Sequence, residues 1–278
     1  MNMKNMQKIA IIGHGYVGKA VEYGFNTKMV HLQLIDPVLY NNSVADIDPD
    51  TDIAFVCVPT PYGKDGEIDA SIVMDVVSQI ALKTYATIVV KSTVTPNVIG
   101  ALSEHYEQLV YNPEFLTEKN ALADFVNPPM HVFGGNFNVT QAVEYSYKMF
   151  SKCSPCPTYH MSAKEASFVK YGINTFLATK VLWFNQFKDL VDTHNSNYET
   201  ILNAIGSDSR IGFSHAQVPG PDGRRGFGGA CFPKDTQAFA HFSDGMMTNL
   251  MAAITANNEY RSQYQLDDRE KEQNVEFK

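Results

Sequence analysis

Four cysteines in 278 residues, at positions 57, 153, 156 and 231, are too few and too scattered to build a disulfide framework. Cys153 and Cys156 form a C-x-x-C, but no second pair completes a zinc site. Pro155 and Pro157 mark an irregular loop there, so a reduced thiol pair and no metal are expected. Basic excess is lacking too: a net charge of -8 leaves nothing to neutralise a nucleic-acid backbone. That excludes nucleic acid as a general partner and leaves nucleotide-sized ligands open. The N-terminal MNMKNMQKIAIIGHG has its apolar run broken by glycine within a few residues, so neither a signal peptide nor a membrane span is expected. The expected compartment is the cytoplasm. Internal repeats and low-complexity tracts are absent. What remains is a chain 44% apolar and 19% charged, a globular protein with a real core and a length suited to two ordinary domains.

The apolar run Lys8 to Ile12 leads into GHGYVG (13–18) and then into the helical pattern KAVEYGF. Strand before and helix after make this a dinucleotide-binding turn: Gly13 allows the tight bend, Gly15 the approach of a pyrophosphate, and Gly18 the helix-on-strand contact. Tyr16 and Val17 open the helix over the same ligand. The next strand, MVHLQLID, ends at Asp36, whose carboxylate can accept from ribose hydroxyls and repels a 2′-phosphate. The cofactor expected is therefore NAD. Strand runs at 52–59 and 86–93, with a helix over 70–83 between them, continue a βαβ alternation and predict a parallel sheet. Pro59, Thr60, Ser92 and Thr93 fall where such strands end, which is where ligands lie.

A further strand ends in Asn112-Pro113-Glu114-Phe115-Leu116. Pro113 keeps Asn112 out of the helical region, so Glu114 and Glu118 are expected on an exposed turn. They suit either the orienting of water or a sugar hydroxyl, or the solvated opening of a helix through TEKNALADF. After a strand MHVFGG and a helix through QAVEYSYKMF, residues 162–194 carry no proline and one glycine, with apolar residues at helical spacing. One very long helix is predicted, and on it Lys170 and Asn174 stand four apart on one face. A cation and an amide aimed together suit a developing alkoxide; a solvated polar face is the other reading.

YETILNAIG reads as another helix, followed by a long glycine- and proline-rich stretch that ends in GFGGACFPKD (226–235). Gly226, Gly228 and Gly229 let the backbone approach a ligand or take positive φ, and they deliver Cys231 to the start of a helix. A helix N-terminus and the neighbouring Lys234 both favour the thiolate, the nucleophilic form; a small buried residue is the alternative. A helix over 246–261 follows, and QLDDREKEQNVEFK is expected to fray.

The set GHGYVG, VCVPTP, KSTV, NPEFL with ALADF, KEASFVKYGINTFLA, SRIG and GFGGACFPKD, in this order, resembles the UDP-glucose/GDP-mannose dehydrogenase family, most of all its UDP-glucose 6-dehydrogenase branch. The resemblance implies an NAD-dependent four-electron oxidation of a nucleotide sugar, with UDP-glucose favoured. Cys231 would carry the C6 aldehyde as a thiohemiacetal and then as a thioester. Lys170 and Asn174 would stabilise the C6 oxygen, and Asp235, Thr93 and Glu114 would handle water and protons. Phe115, Leu116, Glu118 and Gly228 would line the sugar, with Glu118 and Lys234 near the cofactor. It also implies a homodimer through the long helix.

The family's usual further C-terminal α/β domain, which supplies contacts to UDP, has no counterpart in these 278 residues, so nucleotide binding is expected to depend on other surfaces. Two rivals stay open. One is a β-hydroxyacid dehydrogenase, which also carries a Lys-x-x-x-Asn helix but needs no cysteine. The other is a catalytically silent NAD-binding subunit completed by a partner. The fold expected is α/β: an N-terminal Rossmann-like parallel-sheet domain over 1–160, then the long central helix and a small all-helical domain over 161–262 that carries the cysteine. A charged flexible tail over 263–278 would end the chain.

Overall fold

The computed structural model describes residues 6–63, 66–117 and 119–277. They fall into two compact units, one ending at Thr60 and resuming over Asp69–Lys170, the other made of Pro61–Ile68 and the chain from Tyr171 onward.

In the first unit β1 (Gln7–Ile12), β2 (Val30–Ile35), β3 (Ile53–Val56), β4 (Thr87–Val90) and β5 (Leu109–Tyr111) pair in parallel in the order β2-β1-β3-β4-β5. Parallel neighbours need crossovers. α1 (Tyr16–Phe25), α2 (Ser71–Lys83) and α3 (Pro96–His105) supply three of them. Strand residues alternate between two cores: Ala10, Ile12, Val56 and Val90 pack on one face, and Ile9, Ile11, Phe55 and Val89 on the other. Both faces are covered, which is why these strands read as unbroken apolar runs. The chain continues through α4 (Ala121–Val126), β6 (His131–Gly135), α5 (Phe137–Phe150) and β7 (Thr158–Met161). β6 runs antiparallel to β5, and β7 parallel to β6, completing a seven-stranded sheet. Neither α3 nor β7 is evident from the sequence. α3 is short and begins on a proline, and the TYHM of β7 has no apolar run to announce it.

α6 (Ala163–Thr193) is the long helix, 31 residues, and the division between the units falls inside it after Lys170. The second unit adds α7 (Tyr198–Gly206), α8 (Phe232–Phe242), α9 (Thr248–Arg261) and α10 (Asp268–Glu272). Its apolar contacts form three small clusters instead of one large core. Tyr171 stacks on Phe239 at 5.2 Å among Ile68, Leu250 and Ile254, while Phe184, Tyr198 and Leu202 close another cluster.

The charged end departs from the sequence reading. It does not fray over its described residues. Asp267 and Glu270 form a capping box that starts α10, and Glu270 and Val275 are buried. A buried carboxylate there is tolerable because Arg224 and Arg261 lie 3.6 and 3.8 Å from it. No helix among the described residues is long and apolar enough to cross a membrane.

Candidate active site

The cofactor turn is built at the carboxyl ends of the parallel strands. Gly13, following β1, has φ +85°, and a Cβ there would sit 2.6 Å from the carbonyl oxygen of Cys57. Only glycine fits this position. Gly18 is equally constrained, packing on the Gly13 carbonyl. Gly15 is the N-cap of α1, with no side-chain cap and open space where a Cβ would stand. A helix N-terminus with no side chain at its cap is the kind of place where a pyrophosphate would be held. Tyr16 is exposed, Val17 half-buried, and the Tyr16 hydroxyl donates to the Thr117 carbonyl.

Asp36 follows β2 with both carboxylate oxygens engaged. Oδ2 accepts from the His14 amide at 2.8 Å, and Oδ1 from Val38 and Leu39 at 2.9 and 3.0 Å. Burial, the largest single influence, raises its pKa, but the amides of His14, Leu39 and Val38 together hold it below the usual carboxylate value. Its charge is therefore secured beside the glycine turn, where an NAD ribose would meet it. Past β3, Pro59 is exposed and Thr60 buried. Past β4, the Ser92 hydroxyl donates to the Val58 carbonyl at 2.7 Å, tying the two turns together, and Thr93 is half-buried.

The Asn112 to Leu116 turn differs from the exposed carboxylates expected there. Glu114 is buried: Lys170 Nζ donates to its Oε1 at 2.9 Å and to its carbonyl at 2.7 Å, and its Oε2 accepts from the Leu116 amide at 2.6 Å. Lys170 lies over the Phe115 ring at 5.6 Å. The ion pair is what makes burial of both charges possible. Glu118 lies outside the described residues.

Beneath this turn is a polar cluster that sequence reasoning missed. Asn112 Oδ1 accepts from Lys91 Nζ at 2.9 Å and from the Tyr147 hydroxyl at 2.7 Å, and its Nδ2 donates to the Val132 carbonyl. All three side chains are buried, and burial drives the Lys91 pKa down to about 8. Only the polar end of the run ATIVVKST hinted at Lys91. Nothing in the sequence pointed to Tyr147.

The second unit carries the thiol. Gly226 and Gly229 have φ +73° and +79°, and Cys231 stands exposed as the N-cap of α8, its carbonyl accepting from the Asp235 amide at 2.8 Å. Gly228 owes its bare Cα to Arg261, whose guanidinium occupies the place of a Cβ. Asp235, 1% exposed, accepts from Asn174 Nδ2 at 2.6 Å and from Lys234 Nζ at 2.6 Å. Lys234, next along α8, is thus paired with the adjacent carboxylate. So Lys170 is joined to Glu114, and Asn174 to Asp235 and Lys234. No disulfide joins the cysteines, and among the described residues no cluster of His, Cys, Asp or Glu could hold a metal.

The glycine turn, Asp36 and the doubly covered parallel sheet define an NAD-binding α/β protein. Comparison with known proteins narrows the class. Residues 39–151 match the NAD-binding domain of the UDP-glucose/GDP-mannose dehydrogenase family, and residues 164–260 match its central domain. The chain belongs to this family. UDP-glucose 6-dehydrogenase TuaD of Bacillus subtilis is 30% identical over 303 residues, covering 91% of this chain and 63% of the relative. A UDP-glucose dehydrogenase structure from Pyrobaculum islandicum superposes with TM-score 0.77 at 27% identity, over 93% of this chain and 70% of that one. The 3-hydroxyisobutyrate dehydrogenase of Mycobacterium tuberculosis shares the fold, with TM-score 0.70 at 15% identity over 98% and 97% of the two chains. Some of the curated relatives are about twice as long as the stretch that matches, so the chain spans about half of their length.

Proposed function

We propose that this chain oxidises the primary alcohol of a nucleotide sugar to the acid, with UDP-glucose as the favoured substrate, and that Cys231 is the covalent carrier between two oxidations. NAD, held by Gly13, Gly15, Gly18 and Asp36, supplies the hydride acceptor for each oxidation. The observation that carries the reading is Cys231 itself. In a family of dehydrogenases it is exposed, at the N-terminus of an 11-residue helix, on a turn held open by two glycines of positive φ.

A thiol there adds to the aldehyde carbon, the thiol proton passing to the carbonyl oxygen. The thiohemiacetal then loses a hydride and a proton to become a thioester. Water replaces sulfur at the acyl carbon, releasing the acid and regenerating the thiol. A carboxylate is needed to take the water proton. Asp235, four residues from Cys231 and paired with Lys234 at 2.6 Å, suits that role. Lys170 and Asn174 supply donors for the sugar oxygen as it gains charge, and Thr93 and Glu114 assist with protons. Phe115, Leu116, Glu118 and Gly228 line the sugar in this reading. The test is a turnover assay with NAD and UDP-glucose. Two NADH per sugar and a uronate product are expected, and a stable aldehyde after one NADH would rule the reading out. UDP-N-acetylhexosamines and GDP-mannose in the same assay decide the sugar and the base.

The second copy in a homodimer fits the outer face of α6. Phe176, Trp183 and Leu190, spaced by seven, are 68%, 51% and 55% exposed, a stripe suited to helix pairing. Trp183→Glu is expected to convert a dimer to a monomer in sedimentation velocity. An unchanged sedimentation coefficient would dismiss this face as the interface.

A further inference from the structure

The glycine turn before Cys231 is held by side chains far away in sequence. Gly226 donates its amide to Asn185 Oδ1 at 3.0 Å, and Phe227 exchanges hydrogen bonds with the Asn257 amide group at 2.7 and 3.0 Å. These two residues come from α6 and α9. The last support comes from the C-terminal segment, where Glu270 Oε1 accepts from the Gly229 amide at 3.1 Å. Glu270 is 1% exposed, and its other oxygen is spent on the Asp267 amide at 2.9 Å. Arg261, 2% exposed, lies against Gly228 and donates to Asp222 at 2.8 Å. The segment itself is anchored: the Gln273 carbonyl accepts from the Tyr62 amide at 3.0 Å, and Val275 is buried.

We infer that Glu270 is a positioning residue for Cys231: the carboxylate at the start of α10 fixes the Gly229 amide, and with it the turn that sets the thiol at the N-cap of α8. The inference rests on reading Cys231 as the nucleophile. The physical reason is conformational. Gly226 and Gly229 both adopt backbone angles that glycine leaves as readily as it enters, so two flexible links lie within five residues of the thiol. Without an outside acceptor the turn samples other states, and Cys231 leaves the helix end whose amides favour its anion. Glu270 removes that freedom through one hydrogen bond, made from a dry environment where it is not exchanged for water.

The test reads the thiol directly and needs no substrate. Alkylation of Cys231 by iodoacetamide is followed by peptide mass spectrometry across pH in three variants. Glu270→Ala is expected to raise the pH of half-maximal alkylation by about half a unit or more, as loss of a helix-end interaction does. In turnover it is expected to lower kcat about tenfold or more, with KM little changed. Glu270→Gln retains one acceptor oxygen for Gly229 but gives up the acceptor on the Asp267 amide, and it is expected to fall between the parent and Glu270→Ala. Leu202→Ala loosens the same unit in a separate apolar cluster, and it is expected to lower Tm without moving the alkylation profile. The inference is overturned if Glu270→Ala leaves the profile in place, if Glu270→Gln is as damaging as Glu270→Ala, or if Leu202→Ala shifts the profile equally. Should the protein prove inactive on every nucleotide sugar, the alkylation profiles still decide this point separately from the proposed reaction.

Discussion

Cys231→Ser is expected to abolish acid formation, by about a thousandfold or more, because the second oxidation requires a covalent adduct that a serine hydroxyl forms poorly without an activating base. The variant should fold normally, since Cys231 is exposed and serine differs from it by one atom. Three readouts separate the possibilities. NADH released per sugar should fall from two to at most one, and trapped aldehyde should appear in place of uronate. Intact-protein mass after a quenched turnover should lose the acyl adduct carried by the parent. A dehydrogenase that performs one oxidation needs no such thiol and would be nearly untouched by the substitution. Two NADH per sugar from the serine variant at the parental rate would end the proposed covalent route.

The second large effect concerns Asp235. Its replacement by alanine leaves Lys234, 6% exposed, as a buried ammonium with its carboxylate gone, and deprives Asn174 Nδ2 of its acceptor. Removing one member of a buried pair is more damaging than removing both, because the remaining charge has lost water and partner alike. Asp235→Ala is expected to lower unfolding stability by about 3 to 5 kcal/mol, read from urea unfolding. Adding Lys234→Met should recover at least half of the loss. A single variant as stable as the parent, or a double variant no better than the single, would show that the pair is not what holds this part of α8. Activity should fall in both variants, so stability and turnover together separate the structural part of Asp235 from its part in proton transfer.

How much of this was legible in the chain depends on how far apart the cooperating residues are. Gly13, Gly15, Gly18 and Asp36 could be read because strand, glycines and helix follow one another along the chain, although the contact that demands glycine at 13 comes from the distant Cys57 carbonyl. The helix of YETILNAIG was legible for the same reason, its period and its Asn197 cap lying within a few residues. The NPEFL turn was legible in backbone and wrong in environment. Pro113 indeed keeps the chain out of a helix, but whether Glu114 meets water or Lys170 depends on a residue 56 positions on. The partner of Lys234 was likewise not legible, although it is the next residue: the sequence does not say that its ammonium turns to Asp235.

By itself, the sequence determined the alternation of strands and helices, the cofactor turn, the place of Cys231 at a helix start, and a family recognisable from the order of its motifs. These follow from periodicity, from backbone freedom at glycine and from hydrogen bonding within a turn. The tertiary structure alone decided which charges are buried and by whom they are compensated. It joined Lys170 to Glu114, Asn174 to Asp235, Lys91 and Tyr147 to Asn112, and Glu270 to Gly229. It also turned an apparently frayed charged end into a support for the thiol. The reason is physical. A carboxylate or ammonium leaves water only when a partner stands within about 3 Å, and that partner is supplied by the fold, not by the neighbouring residues in the chain.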